Sequence, residues 1–506
     1  MTVVESRETF QSLNPANGDV VGTHPVHSDE EVRAAVARGR EAASWWSALS
    51  FDERAQVLTK WKGVLTRRMP QLAGLVHDEM GKPHAEAQLE IALAIDHVAW
   101  AASHAGKVLG PHRVRPGLLL ANMAASVEYH PLGVVGVIGP WNYPVFTPMG
   151  SITYALAAGN TVVFKPSEYA PGVGSWLAAT FGEVCPEHPV FQVVTGQGAT
   201  GAALCRAGVD KLAFTGSTAT GKLVMASCAE TLTPVVIEAG GKDALLVDED
   251  ADLDAAADAA VWGAMSNAGQ TCIGVERVYV HAKVYDEFLN AVVTKTSELR
   301  AEADDEAQIG PITMPSQVGV IAAHIDEALT RGGRALVGGR EAVGERFVQP
   351  TVLVDVPEDC TAVTEETFGP TLTVAKVASM DEAVEKANAV RYGLGSAVFS
   401  KARGVELARR LRSGMTSVNS VIAFAGIPSL PFGGVGDSGF GRIHGADGLR
   451  EFCYAKAIAR QRFKPPMLLT SFTRTAKTDT RFAQLITMLH GSSSTLPKRP
   501  RRRGGR

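Results

Sequence analysis

Val134-Val135-Gly136-Val137-Ile138, then Pro140-Trp141-Asn142-Tyr143-Pro144, then after a helical stretch Thr161-Val162-Val163-Phe164-Lys165, decide how this chain is built. Each apolar run is short, β-branched or aromatic, and closed by proline, glycine or a polar residue. Phe191-Gln192-Val193-Val194, Lys211-Leu212-Ala213-Phe214 and Pro234-Val235-Val236-Ile237 repeat the pattern. Buried strands joined by helical crossovers predict an α/β fold with a parallel sheet covered on both faces. Ligands of such sheets bind beyond the carboxyl ends of the strands.

A second alternating region begins near Asp243-Ala244-Leu245-Leu246-Val247 and runs to about residue 420. Its strand candidates are Arg277-Val278-Tyr279-Val280, Thr351-Val352-Leu353-Val354 and Thr371-Leu372-Thr373-Val374. Upstream, Asn14-Pro15-Ala16-Asn17-Gly18-Asp19 predicts a tight hairpin. Ser28-Asp29-Glu30-Glu31 and Ser50-Phe51-Asp52-Glu53 match the reciprocal capping box of a helix start. The second of these helical regions is expected to run towards the stop signal Gly81-Lys82-Pro83.

With 506 residues the chain holds roughly three domains' worth of material. A 45% hydrophobic and 20% charged composition suits a soluble globular enzyme with a large core. Lys plus Arg number 49 against 53 Asp plus Glu, a net charge of −4 that gives no reason to expect nucleic acid as a partner. The six cysteines lack a C-x-x-C pair, which points to free thiols in a reducing compartment. The first residues carry charges where a signal peptide needs an apolar run, and no apolar stretch approaches the roughly 18 residues of a membrane span. A cytoplasmic protein is expected, with no metal site.

Two motifs mislead. Gly196-Gln-Gly198-Ala-Thr-Gly201 matches G-x-G-x-x-G, but no acidic residue closes a second strand at the usual distance, so a plain strand-to-helix turn is expected. Gly216-Ser-Thr-Ala-Thr-Gly221-Lys222 resembles a P-loop, yet Leu223 stands where a Ser or Thr must bind magnesium. What remains is Ser217 and free amides at a helix start, able to face an anion.

Cys272, in Asn267-Ala-Gly-Gln-Thr-Cys272, and Glu238, in Glu238-Ala-Gly-Gly-Lys242, read as a thiol nucleophile and a base for chemistry on a carbonyl carbon. Asn142 could aim its amide at a developing oxyanion. Lys165 and Glu168 could hold ribose hydroxyls; alone, they would read as a solvated ion pair.

Trp141-Asn142, Lys165-Pro-Ser-Glu168, Phe214-Thr-Gly-Ser217, Glu238-Ala-Gly-Gly-Lys242, Gly269-Gln-Thr-Cys272, Glu366-Thr-Phe368-Gly-Pro370 and Pro431-Phe-Gly-Gly434 occur in the order known for aldehyde dehydrogenases. From roughly residue 10 to 460 the chain closely resembles that superfamily. The resemblance implies a Rossmann-like cofactor domain (1–111 and 131–238), an α/β catalytic domain (239–445) and a bridging, oligomer-forming β element (112–130 and 446–470). Residues 471–506 would be an extension ending in a basic, disordered tail.

The resemblance also implies roles: Cys272 as nucleophile, Asn142 and the Cys272 N–H as oxyanion donors, Glu238 as the base that hydrolyses the thioester. Ile138, Pro140, Trp141, Lys165, Ser167, Glu168, Gly198, Phe214, Ser217, Gly240, Glu366 and Phe368 would line the cofactor site. Glu168 would repel a 2′-phosphate, favouring NAD over NADP. A homodimer or homotetramer is implied.

Ala239 replaces the usual leucine, Ser151 stands where many members carry lysine, and Val435-Gly-Asp-Ser-Gly439 resembles the class-3-like branch. Without arginine at Ser151 or Ser266, an apolar or aromatic aldehyde is favoured over succinate semialdehyde. A cofactor-independent thiol hydrolase or acyltransferase using Cys272 alone, and a non-catalytic binding or structural homologue, are the rival readings. The Arg481–His490 stretch could form an amphipathic helix; together with the Arg-rich tail it is read as a solubilising extension rather than a membrane contact.

Overall fold

The structure, a computed structural model, describes residues 8–491 except 305, 466 and 468. The basic tail expected to be disordered lies outside the described residues. Two compact units emerge, Met1–Gly110 with Tyr129–Tyr454, and Pro111–Glu128 with Ala455–Arg506.

The larger unit opens with the antiparallel pair Thr9–Leu13 and Val20–Pro25, turned at Gly18 with φ +83°. Both capping boxes form, at Ser28 for helix Asp29–Ala48 and at Ser50 for helix Phe51–Arg67. The helical region after Ser50 is not continuous. It breaks at Arg68, because Pro70 has no N–H to extend the first helix and suits the opening turn of the next, Met69–Met80. Helix His84–Leu109, not read from the sequence, follows Gly81 and Pro83.

The first large sheet runs Gly439–Phe440, Val235–Glu238, Lys211–Thr215, Val134–Ile138, Thr161–Lys165, Phe191–Val193. Five of these strands are parallel, as their apolar runs predicted; Gly439–Phe440 adds antiparallel to Glu238 from far along the chain. The second sheet runs Arg334–Val337, Thr351–Val354, Thr371–Val377, Val275–His281, Asp243–Val247, Ser396–Phe399, Ser417–Val418, with only Arg334–Val337 antiparallel. Trp46, Trp61, Phe164 and Phe181 anchor one core beside the first sheet, and Phe288, Val352 and Leu372 sit in a second core beside the other.

The smaller unit holds most of a three-stranded sheet ordered Cys453–Gln461, Met123–Pro131, His112–Val114; Cys453, Tyr454 and residues 129–131 fall in the larger one. The smaller unit also holds helix Ala476–His490, which has no buried residue. Among the described residues no helix is long and apolar enough to cross a membrane.

Candidate active site

The carboxyl ends of the first sheet's strands open onto a cavity of about 820 Å³, within the range of cofactor and ligand sites. Every residue singled out from the sequence as a site residue lines it: Ile138, Pro140, Trp141, Asn142, Lys165, Ser167, Glu168, Gly198, Phe214, Ser217, Glu238, Gly240, Cys272, Glu366 and Phe368.

Thr215 and Glu238 end adjacent parallel strands in register, so their side chains meet: Thr215 Oγ1 donates to Glu238 Oε2 at 3.0 Å. The other oxygen, Oε1, is buried without a hydrogen-bond partner among the described residues. Burial pushes the Glu238 pKa up to about 7, against the opposing pull of Cys272 and Thr215. A carboxyl tuned near neutrality suits general-base work. Cys272 is half-buried beside it. Burial first, then the Glu238 charge, raises the thiol pKa well above its ordinary value. The thiolate therefore needs a compensating positive charge or a protonated Glu238.

Asn142 follows the strand Val134–Ile138 and is buried. Its amide donates one N–H to the Gln270 carbonyl at 2.9 Å, two residues before Cys272. Its backbone carbonyl accepts from Asn267 Nδ2 at 3.0 Å. The side-chain NH₂ has two hydrogens, which leaves the second for an oxygen in the cleft.

Lys165 Nζ lies 3.3 Å from Glu168 Oε2, with the lysine side chain 5% exposed and the carboxylate 39%. Burial lowers the lysine pKa, while Glu168 opposes the shift. This is more than the solvated surface pair that its sequence alone would suggest. Ser217 caps helix Thr218–Ala229 by accepting from Thr220 N at 3.2 Å. Its hydroxyl thus serves the helix as well as facing the cavity. The glycine turn at 196–201 leads from strand to helix as expected, and Gly198 and Gly201 also form cavity wall.

Glu366 Oε1 accepts from Gly241 N at 2.9 Å, and a side chain at 240 would meet Glu366 Oε2 at 2.2 Å. Burial, then the Glu276 charge, raises the Glu366 pKa to about 8. Phe368, in a left-handed conformation with φ +51°, stands edge-on to Trp141 at 5.5 Å between centroids. Glu276 holds that turn by accepting from Thr367 N at 2.9 Å and Phe368 N at 3.1 Å, and pairs with buried Lys242.

A dinucleotide fits these residues. An ion pair at one strand end presents a carboxylate able to accept from ribose hydroxyls. Two helices of nine and twelve residues begin on the cavity wall, and helix starts favour phosphate. Sequence reasoning missed Thr215 as the partner of Glu238, and missed Met314, Gln317 and Val320 on the cavity wall. No local motif marks the latter three; they arrive with the start of helix Pro315–Thr330 and the residue before it.

The model of the aldehyde dehydrogenase family matches residues 3–458. This chain belongs to the aldehyde dehydrogenase family. A Mycolicibacterium smegmatis protein, provisionally named succinate-semialdehyde dehydrogenase [NADP(+)], is 36% identical over 92% of each chain. The 4,4'-diapolycopene aldehyde oxidase of a Methylomonas species is 35% identical over 97% of this chain and 93% of that one. The crystal structure of the NAD-dependent aldehyde dehydrogenase of Sinorhizobium meliloti matches with a TM-score of 0.87 at 34% identity, covering 92% of this chain and 93% of its own. As an aldehyde dehydrogenase the chain is an oxidoreductase of a family that uses NAD or NADP, and its α/β architecture is the one its parallel-sheet motifs predicted.

Proposed function

We propose that this aldehyde dehydrogenase oxidises an apolar or aromatic aldehyde to its carboxylic acid with NAD, through a thioester on Cys272. The observation that carries the reading is the sharing of one cavity by the Cys272–Glu238 pair and the Lys165–Glu168 pair.

Cys272 attacks the aldehyde carbon, and the resulting oxyanion takes the free N–H of Asn142 and the Cys272 backbone N–H. Loss of hydride from this adduct leaves the thioester, and NAD⁺ would supply the acceptor for it. Glu238 takes a proton from water as it attacks the thioester; Thr215 orients the carboxyl from its other oxygen. Lys165, with Ser167 and Glu168 beside it, would hold the adenosine ribose, Gly198 would lie against the adenine, and Ser217 would face the pyrophosphate. Glu366 and Phe368 would hold the nicotinamide ribose and ring, with Ile138, Pro140, Trp141, Phe214 and Gly240 completing the wall. The larger unit's first sheet would form the cofactor domain and its second the catalytic domain. The three-stranded sheet would bridge subunits of a cytoplasmic homodimer or homotetramer.

A second substrate reading, succinate semialdehyde, is favoured by the name of the M. smegmatis relative. Against it, Ser151 and Ser266 are both buried and neutral, and Ser266 Oγ has no hydrogen-bond partner among the described residues. An aldehyde panel followed by nicotinamide absorbance, with Cys272→Ala as control, tests both readings. Turnover of apolar or aromatic aldehydes well above succinate semialdehyde supports the first; the reverse order supports the second. Ester cleavage without nicotinamide reduction would instead mark a thiol hydrolase.

A further inference from the structure

Three consecutive residues just before Cys272 adopt left-handed backbone: Asn267 with φ +51°, Ala268 with φ +55° and Gly269 with φ +71°. Glycine takes this region freely and asparagine tolerates it, but an alanine there is strained. Such a conformation persists only where its surroundings over-determine it. Gly269 has no room for a side chain, since a Cβ would lie 2.0 Å from the Gly369 carbonyl oxygen. Gln270 closes the turn from within, its Nε2 donating to Asn267 O at 3.0 Å and its Oε1 accepting from Thr313 N at 2.8 Å.

The backbone N–H that opens the turn is held from elsewhere. Glu86 Oε2 accepts from Asn267 N at 2.8 Å across 181 residues of sequence. Glu86 lies in the first turn of helix His84–Leu109, with its carboxyl turned inward. Burial pushes its pKa up to about 7, Lys82 opposing and Glu90 adding to the rise. One turn further on, Glu90 Oε1 accepts from Val145 N at 2.8 Å and Phe146 N at 3.1 Å, at the start of the helix that follows Asn142. Lys82 Nζ, 2.5 Å from Glu90 Oε2, lies 3.7 Å from the Tyr143 ring centre, and the Tyr143 hydroxyl is 3.0 Å from Thr271 Oγ1. The start of one helix therefore braces both walls around Cys272.

We infer that Glu86 is a positioning residue, which through the Asn267 amide holds the left-handed turn that presents the Cys272 thiol to the cleft. The inference rests on Cys272 being the nucleophile. Reach, rather than charge, is what the clamp requires. Glu86→Asp keeps the charge beside Lys82 and withdraws the carboxylate by one methylene; Glu86→Gln keeps the length and an acceptor oxygen.

The test measures, in the full-length enzyme, the rate of Cys272 alkylation by iodoacetamide, kcat, and the dissociation constant for NAD⁺. Cys272→Ala corrects for the other thiols. Glu86→Asp is expected to slow alkylation and lower kcat together by about 10-fold to 100-fold, the scale on which an ångström of misplacement is felt. NAD⁺ affinity should stay within about twofold, and Glu86→Gln should keep both rates within about threefold of wild type. Adding Ala268→Gly to Glu86→Asp should recover part of the loss, because glycine enters the turn without strain. Unchanged alkylation in Glu86→Asp overturns the inference, as does a Glu86→Gln defect equal to or greater than that of Glu86→Asp. A loss matched by an equal fall in NAD⁺ affinity also overturns it. If Cys272→Ala kept full dehydrogenase activity, the nucleophile reading would fail by itself, and the alkylation rates would still decide on the clamp.

Discussion

Asn142 ties its side-chain amide to the Gln270 carbonyl at 2.9 Å, so the group that would stabilise an oxyanion is also fastened to the loop that carries Cys272. The donor and the loop of the nucleophile are thereby joined by one buried hydrogen bond. This bond spans 128 residues of sequence and joins the turn after the first sheet's Val134–Ile138 strand to the loop leading into the second sheet.

Asn142→Ala removes both the tie and the free N–H. Turnover should fall by about 10²–10³, as for other single oxyanion donors, with a smaller change in NAD⁺ affinity. Steady-state kinetics with separate dinucleotide titration checks it; a defect confined to NAD⁺ binding would contradict the assigned role.

Glu238 must be ionised to act as base, and its pKa is raised from 4.5 to about 7, so kcat should fall as pH drops through about 7. Glu238→Gln should give one equivalent of reduced nicotinamide in a burst and then stall at the thioester, seen by stopped-flow absorbance. The stability effect has the opposite sign. Because folding raises this pKa, the native state binds more protons between 4.5 and about 7, and stability falls as pH rises through that window. Melting temperatures of Glu238→Gln should decline less than those of the wild type across the same interval.

Gly240→Ala places a methyl where Glu366 Oε2 now lies, 2.2 Å from the ideal Cβ position, and must push that carboxyl off the Gly241 amide. A carboxyl displaced from the ribose loses a hydrogen bond worth about 0.5–1.5 kcal/mol, so the KM for the dinucleotide should rise roughly 2-fold to 12-fold. An unchanged KM would exclude Glu366 from cofactor binding.

Glu168→Ala removes the carboxylate paired with Lys165 at the end of the Thr161–Lys165 strand. Unit charges about 4 Å apart interact by about 1 kcal/mol in water and about 4 kcal/mol near a protein surface. The NADP-to-NAD ratio of kcat/KM should therefore rise at least about fivefold. A wild-type enzyme already preferring NADP would count against the NAD assignment.

Trp61, fully buried, donates to Thr180 Oγ1 at 3.2 Å and stands edge-on to Phe181 at 5.2 Å. Trp61→Ala should cost about 3–5 kcal/mol of stability in chemical denaturation, from lost packing and a cavity. Trp61→Phe should recover most of that while leaving Thr180 its bonds to helix carbonyls.

Strands buried on both faces were legible because continuous β-branched runs have few alternatives in a covered sheet. The break at Arg68 was less so. Met69-Pro70 looks like helix interior until the missing N–H is counted against the preceding turn. The two-residue strand Gly439–Phe440 carries no periodic signal and exists only because Glu238 offers it an edge. Among the site residues, the ordered short motifs pointed to the cavity wall. Met314, Gln317 and Val320 had no such mark, because their place depends on where one helix docks.

Read alone, the chain determined its strand-and-crossover plan and which short motifs belong together, since these depend on side-chain type and near-neighbour spacing. Tertiary structure alone decided that Glu86 reaches the Asn267 amide and that Glu238 is pushed to a pKa of about 7. Both depend on what surrounds a group in space, and burial and partners are assembled from segments that only folding brings within a few ångströms.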